Sequence, residues 1–375
     1  MNTTDEISLA ARLVRIDTRN PPGDERDAAD VAGHILADAG FDVRYHDFAP
    51  RRTSVIAQIG DIASRPPLCL TGHLDTVPLG SARWTRDPFA AEIDGDRLYG
   101  RGTADMKGGV AAILTAAVRL SERLRETTGL TVVLTASEEG GCLGSEDLIH
   151  RDGLLIKPGA IIVAEPTSNY PCVGHRGAMK FTATFKGKAA HGSMPQVGLN
   201  AIYVAARVVA KLESYDFSSE DHPLMGAPTL NVGTFHGGDA INSIPDEAVI
   251  GVDIRSILGM AHPGLLADIQ NLIGRDARIN LIQDMPPVWT DPESEWVSRV
   301  MTIWSDLVRE VPRTRTLPYN TDGGNFRKLW PDVPIIILGP GEPEMAHQTD
   351  EFCSVSQISM ATKVYESLIT DWCEL

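Results

Sequence analysis

A chain of 375 residues is longer than one hydrophobic core usually serves, so two domains, or one domain carrying a large insertion, are expected and a single small module is excluded. The 34 basic and 50 acidic side chains leave a net charge of −16, a surface that repels phosphate backbones and anionic lipid heads and argues against nucleic acid and membranes as partners. With 43% hydrophobic and 22% charged residues, the composition is that of a folded chain.

The N-terminus, MNTTDEISLAARLVRIDTRN, has early acids and an amphipathic pattern, so it reads as a first helix and not as a signal peptide. No apolar run approaches the roughly 18 residues of a membrane span, and a cytoplasmic location is expected. Cys69, Cys142, Cys172, Cys353 and Cys373 are odd in number and lack CxxC spacing, which predicts reduced thiols and neither a disulfide framework nor a cysteine metal site.

Up to Val163 short β-rich runs alternate with helical patterns. TSVIAQIG, PPLCLTGH, GLTVVLTAS and GAIIVAE read as strands, with helices over DERDAADVAGHILADAG and KGGVAAILTAAVRLSERL. Continuous apolar strands alternating with helices predict an α/β fold, a mostly parallel sheet with helices on both faces. After Glu165 the texture changes to strand RGAMKFTATFKGKAA, helix GLNAIYVAARVVAKLE, strands PTLNVGTFHGG and DEAVIGVDIRS, helix HPGLLADIQNLIG and strand ARINLIQDM. That β-α-β-β-α-β order predicts a smaller α+β sandwich inserted over 177–289, with one open sheet face. The Pro-rich stretch MPPVWTDPES is the expected return linker, and VSRVMTIWSDLV, VPIIILG and VSQISMATKVYESLI complete the first domain, 1–176 and 290–375.

Ligands of open α/β sheets bind beyond the carboxyl ends of the strands, so the polar residues just past each apolar run are the first candidates. His73 ends PPLCLTGH, and Asp75, two residues on, falls on the same face by strand periodicity, where its carboxylate could take the second imidazole N–H. Asp105 stands in the glycine-rich turn YGRGTADMKGG; it could equally be a helix cap, but with no GK[ST] the phosphate-loop reading is weak. Glu138 and Glu139 close LTVVLTASEEGG, a pair that in isolation could simply be solvated. Glu165 closes GAIIVAE, and His347 follows VPIIILG in GPGEPEMAHQTDE. Two imidazoles with three or four carboxylates suit zinc, a shared carboxylate suits two ions, and a spare acid is the general base hydrolysis needs.

GHLDTVP, GRGTADMKGG, SEEGG, EPT, AHGSMPQVGLNAI and AHQTDE, in that order, resemble the dinuclear zinc amidohydrolase and peptidase family, which contains acetylornithine deacetylase, succinyl-diaminopimelate desuccinylase, aminoacylase and glutamate-releasing carboxypeptidases. The resemblance spans essentially the whole chain. It implies a catalytic domain with an inserted lid or dimerisation domain, a homodimer, and two zinc ions for which cobalt can substitute. It places one ion on His73, Asp105 and Glu165 and the other on Asp105, Glu139 and His347, with Asp105 bridging. It makes Asp75 the orienter of His73 and Glu138 the general base, and puts a non-proline cis peptide after Asp105. His191, in KAAHGSMP, corresponds to the family's oxyanion donor, reached from the partner subunit. Arg255 and Asn242 match positions that hold a substrate carboxylate, and an arginine fits a bidentate clamp; a surface ion pair is the plainer reading of Arg255. Thr321, Gly323 and Gly324 of YNTDGGNF fall in a substrate-side glycine loop, where this chain departs from the desuccinylase pattern by one extra residue, while AHQTDE is closer to the deacetylase form. The implied activity is cleavage of the amide of an N-acyl amino acid, with desuccinylase, dipeptidase or carboxypeptidase chemistry as alternatives and a catalytically dead metal-binding scaffold the remotest. His175, His236 and His262, and Cys142 beside the acids, read as structural.

Overall fold

A computed structural model describes residues 5–61 and 65–375. The chain divides into two compact units, one of Met1–Gly174, Trp289–Arg315 and Thr321–Leu375, the other of His175–Val288 and Thr316–Asn320. Thr316–Asn320, expected in the first domain, groups with the second because Thr316 Oγ1 donates to the Leu224 carbonyl (2.9 Å) and Asn320 Oδ1 accepts from Arg255 (3.0 Å).

Unit 1 is built on a six-stranded sheet in the spatial order Asp42–Ala49, Arg52–Ile59, Leu130–Thr135, Leu68–His73, Ala160–Val163, Ile335–Ile337. The last four strands are mutually parallel; the first two are antiparallel additions, so the sheet is mixed at one edge. The reason is local: Pro50 and Arg51, the latter at φ +62°, turn the chain back in a tight hairpin. Every residue of the four parallel strands is buried, which explains why they read as unbroken apolar runs. Helices Arg26–Asp38 and Gly108–Leu124 pack on this sheet, and Gly108–Leu124 also carries Glu6–Val14 and Val355–Cys373. The first helix starts where Asp5 accepts the N–H groups of Ile7 and Ser8.

Unit 2 is a four-stranded antiparallel sheet in the order Thr229–Gly237, Glu247–Arg255, Ala178–Lys186, Arg278–Met285, with helices Ala201–Glu213 and His262–Ile273 packed on it. Alternate residues, Phe181, Ala183 and Phe185 on one central strand and Ile250, Val252 and Ile254 on the other, enter its core, and their neighbours stay partly exposed. The five cysteines are buried free thiols, and no helix among the described residues is long and apolar enough to cross a membrane.

Candidate metal and catalytic centre

Parallel register brings the strand ends of unit 1 together: His73 pairs with Thr135, and Ala160–Val163 runs alongside the His73 strand. The residues past those ends therefore meet at one edge of the sheet. Beyond Thr135 a tight turn presents the two acids, with Ser137 at φ +58° and the Glu138 carbonyl accepting from Gly141 N (2.9 Å) and Cys142 N (2.7 Å). Asp105 comes from the wide turn Thr103–Lys107 ahead of the Gly108 helix, and its bond to Met106 is cis, as the resemblance implied.

Asp105 stands between the two imidazoles, with Oδ1 3.0 Å from His73 Nε2 and Oδ2 3.4 Å from His347 Nε2. Glu165 Oε1 lies 3.8 Å from His73 Nε2, and both Glu139 oxygens lie 3.2 Å from His347 Nε2. Donor atoms of His73, Asp105 and Glu139, and of His73, Glu138 and Glu165, fall within 4.8 Å of one another. His73 is buried, whereas the His347 side chain is 54% exposed, so the His347 side is where the site opens to solvent.

The tautomer of His73 is fixed by its surroundings. Its Nδ1 lies 2.9 Å from the main-chain carbonyl of Asp75, which can only accept, so Nδ1 carries the proton and Nε2 points its lone pair or second proton at the carboxylates. The expected role of Asp75 is thus performed by its carbonyl. Its carboxylate is 3.6 Å from the ring and instead accepts Glu138 N–H (2.9 Å), Glu139 N–H (3.2 Å) and the Asn20 amide (2.9 Å), because the chain leaves strand geometry after His73.

Crowded acids shape the electrostatics. Burial pushes Glu165 well above the usual carboxylate range, and Asp105 adds to it. Burial does the same to Glu138, with His73 pulling the other way; it also raises Glu139, and Asp105 adds to that. Against its own burial Asp105 is held low by hydrogen bonds from His347 and His73. Asp105 and Glu139 in turn raise His347 to about 10. Burial opposes the charge on His73, yet Asp105 and Glu165 raise it well above an ordinary imidazole. A cluster of nitrogen and carboxylate donors with an oriented imidazole and a shared carboxylate fits two divalent cations of the zinc type, and such ions would neutralise it.

Cys142 is not merely a space filler: its thiol donates to Glu138 Oε1 (3.3 Å). Thr321, Gly323 and Gly324 are buried in unit 1, where the Thr321 hydroxyl takes Gly323 N–H (3.1 Å). Asp322, between them, accepts from Thr135 Oγ1 (2.5 Å) and from the Ser145 hydroxyl and so pins the ends of the Glu138–Glu139 turn. Sequence reading missed Asp322 although YNTDGGNF was in view; an acid between a threonine and a glycine pair was the available signal. It also missed Arg101 and Glu351, both fully buried.

In unit 2 the bridge Ala190–His191 pairs with Ser243–Ile244, and Gly192 N donates to the Asn242 carbonyl (2.7 Å), so His191 and Asn242 sit together on the surface. Ser193 N–H donates to His191 Nδ1 (3.2 Å), which in the neutral ring leaves the proton on Nε2. Arg255 lies at the far end of the nine-residue strand Glu247–Arg255, roughly 25 to 30 Å from Asn242 at about 3.3 Å per residue. The two do not form one clamp within a chain. Arg255 donates to Asp253 (2.9 Å) and Asn320 (3.0 Å), the plainer ion-pair arrangement.

Unit 2 also holds a Ser-His-Asp chain, Ser256 Oγ to His262 Nε2 at 2.6 Å and His262 Nδ1 to Asp284 at 2.5 Å. Ser256 has no exposed surface, and Gly177 exchanges backbone hydrogen bonds with it and packs on its hydroxyl. A nucleophile needs access to a carbonyl; this one has none, and the chain anchors the end of the Arg255 strand.

A model of the family described as Peptidase family M20/M25/M40 matches residues 69–371. The chain is 30% identical to an acetylornithine deacetylase of Vibrio atlanticus over 90% of its own length and 89% of the relative's. It is 29% identical to a probable succinyl-diaminopimelate desuccinylase of Staphylococcus epidermidis over 100% and 99%. Among solved structures it resembles a metallo-carboxypeptidase from Sulfolobus solfataricus (TM-score 0.81, 19% identity, 99% and 100% covered) and a tripeptidase from Staphylococcus aureus (0.76, 22%, 100% of each). A dinuclear metal-binding peptidase of Bacillus subtilis shares the fold as well (0.72, 16%, 98% of each).

Proposed function

Because the chain belongs to peptidase family M20/M25/M40 and is a hydrolase acting on amide bonds, we propose that it removes the acyl group from an N-acyl amino acid, leaving a free amine and a carboxylate. The observation that carries the reading is the bracketing of Asp105 by His73 and His347, with Glu138 beside them. His73, Asp105 and Glu165 would hold one divalent cation and Asp105, Glu139 and His347 the other, zinc or cobalt by donor type. Bound there, two such ions supply Lewis acidity, lowering the pKa of a water towards about 7 and polarising the scissile carbonyl.

The protein's own residues do the rest. Glu138 is the proton carrier: burial gives its carboxylate a raised proton affinity, and it passes the attacking water's proton to the departing nitrogen. The Cys142 thiol and the Asp75 carboxylate fix its side chain and its backbone. His191 is the oxyanion donor through Nε2–H, a role supported by the Ser193 N–H donated to its Nδ1 and by its exposure beside Asn242. Arg255 is the residue for the substrate carboxylate, with Asn242 acting beside His191. Thr321, Gly323 and Gly324 are the substrate-side loop, an assignment supported by their place around Asp322, whose carboxylate holds residues on both sides of the acid turn. We assign dimer formation to unit 2, where the edge strand Thr229–Gly237 exposes Phe235 and the following loop exposes Ile241; a partner there can deliver His191 and Asn242 in trans.

The acyl-amino-acid reading is supported by the deacetylase and desuccinylase names of relatives near 30% identity, and the dipeptidase reading by peptidase neighbours in fold. Metal-stripped, zinc-reloaded protein assayed on N-acetylornithine, N-acetylmethionine, N-succinyl-diaminopimelate and simple dipeptides decides between them. Turnover of the N-acyl substrates is expected, and turnover of dipeptides alone contradicts the assignment.

A further inference from the structure

Glu351 lies four residues after His347 and is buried with all of its accepting capacity used. Its Oε1 takes the N–H groups of Ala104 (2.9 Å) and Asp105 (3.1 Å), and its Oε2 takes Gly102 N–H (2.9 Å) and Arg101 Nη1 (2.6 Å). Arg101 is buried too, with its guanidinium 5.1 Å from the Trp84 ring centroid. Its second arm, Nη2, donates to the carbonyls of Pro78 (3.2 Å) and His347 (3.4 Å). His347 itself sits at φ +66°, a left-handed conformation that a residue with a side chain keeps only when its surroundings hold it there.

The pair therefore grips two segments far apart in sequence. One is the turn whose backbone aims Asp105; the other is the loop whose backbone aims His347. We propose that Arg101 and Glu351 form a positioning pair that sets Asp105 and His347 at the separation required by the cation shared between Asp105, Glu139 and His347. This rests on the two-cation reading above. The other cation, on His73 and Glu165, depends on the pair only through Asp105, so the pair governs the two positions unequally. Groups that orient ligands typically alter metal affinity or activity by about 10- to 100-fold when replaced.

Two conservative variants test it. Glu351→Gln keeps an acceptor for Ala104 and Asp105 but loses the carboxylate that faces Arg101. Arg101→Lys keeps the charge but loses the fork that reaches the His347 carbonyl. Metal-free parent and variants are titrated with cobalt(II) by calorimetry and followed by the visible absorption of the ion. The expected result is a first cation bound as in the parent and a second bound at least about 10-fold more weakly. A lowered kcat that excess cobalt restores, with KM within twofold, should accompany it. Parent-like affinity for both cations overturns the proposal, as does parallel loss of both cations with loss of the folded state in both variants. A parent that binds fewer than two cations instead refutes the two-cation reading itself.

Discussion

The two places where functional residues gather are built in opposite ways. At the sheet edge of unit 1 the acids have little exposure, and the turns that carry Asp105, Glu138 and Glu139 are each held by a further acid: Asp75 takes the N–H groups of Glu138 and Glu139, Glu351 those of Ala104 and Asp105, and Asp322 the hydroxyls flanking the acid turn. The His191–Asn242 cluster of unit 2 is exposed and rests on a two-residue bridge and a few local bonds. The first arrangement lies within one unit, its side chains oriented by hydrogen bonds from residues outside the cluster. The second leaves its histidine exposed.

Sharp differences in mutational behaviour follow. Glu138→Gln should retain two cations per chain and lose about 100- to 10,000-fold in kcat, measured with saturating substrate; near-parent turnover removes Glu138 as the proton carrier. His191→Ala should lose about 100- to 1,000-fold in kcat with metal content unchanged, and mixing it with Glu138→Gln should restore part of the activity if the histidine serves its partner's site. Absence of any restoration, or a monomer by light scattering, confines His191 to its own chain.

Cation uptake at the unit 1 cluster depends on pH. In the metal-free chain Asp105 and Glu139 raise His347 to about 10, so at pH 7 a cation must displace its proton. Affinity should therefore rise with pH, with proton release on binding, read by calorimetry in buffers of different ionisation enthalpy. Uptake without proton release contradicts the charge state derived for the cluster. The smallest effect is expected from Asp322→Ala, which leaves the Thr135 and Ser145 hydroxyls to the Gly72 and Cys142 carbonyls at a cost of about 1 kcal/mol in unfolding free energy.

What was legible in the chain follows from the same contrast. Strands buried on both faces read as apolar runs, so their ends, and with them His73, Glu138, Glu139 and Glu165, could be found by looking just beyond. Asp42–Ala49 escaped because an edge strand with half its residues exposed, DVRYHDFA, carries no such run. Asp105 and His347 lie in loops; their positions drew notice, but only whole motifs gave them roles. Clamps such as Glu351 and Asp322 act on backbone N–H groups or neighbouring hydroxyls that leave no spacing pattern. Asp75 shows the limit of periodicity: two residues past His73 was the right place, but the chain had already turned, and the carbonyl took the part given to the carboxylate.

The central claim is that Asp105 is shared by two cations. Diffraction from zinc-loaded crystals, collected at the zinc edge, tests it directly. Two anomalous peaks should flank the Asp105 carboxylate, one with His73 and Glu165 and one with Glu139 and His347. A single peak at full loading, or peaks away from Asp105, would contradict it.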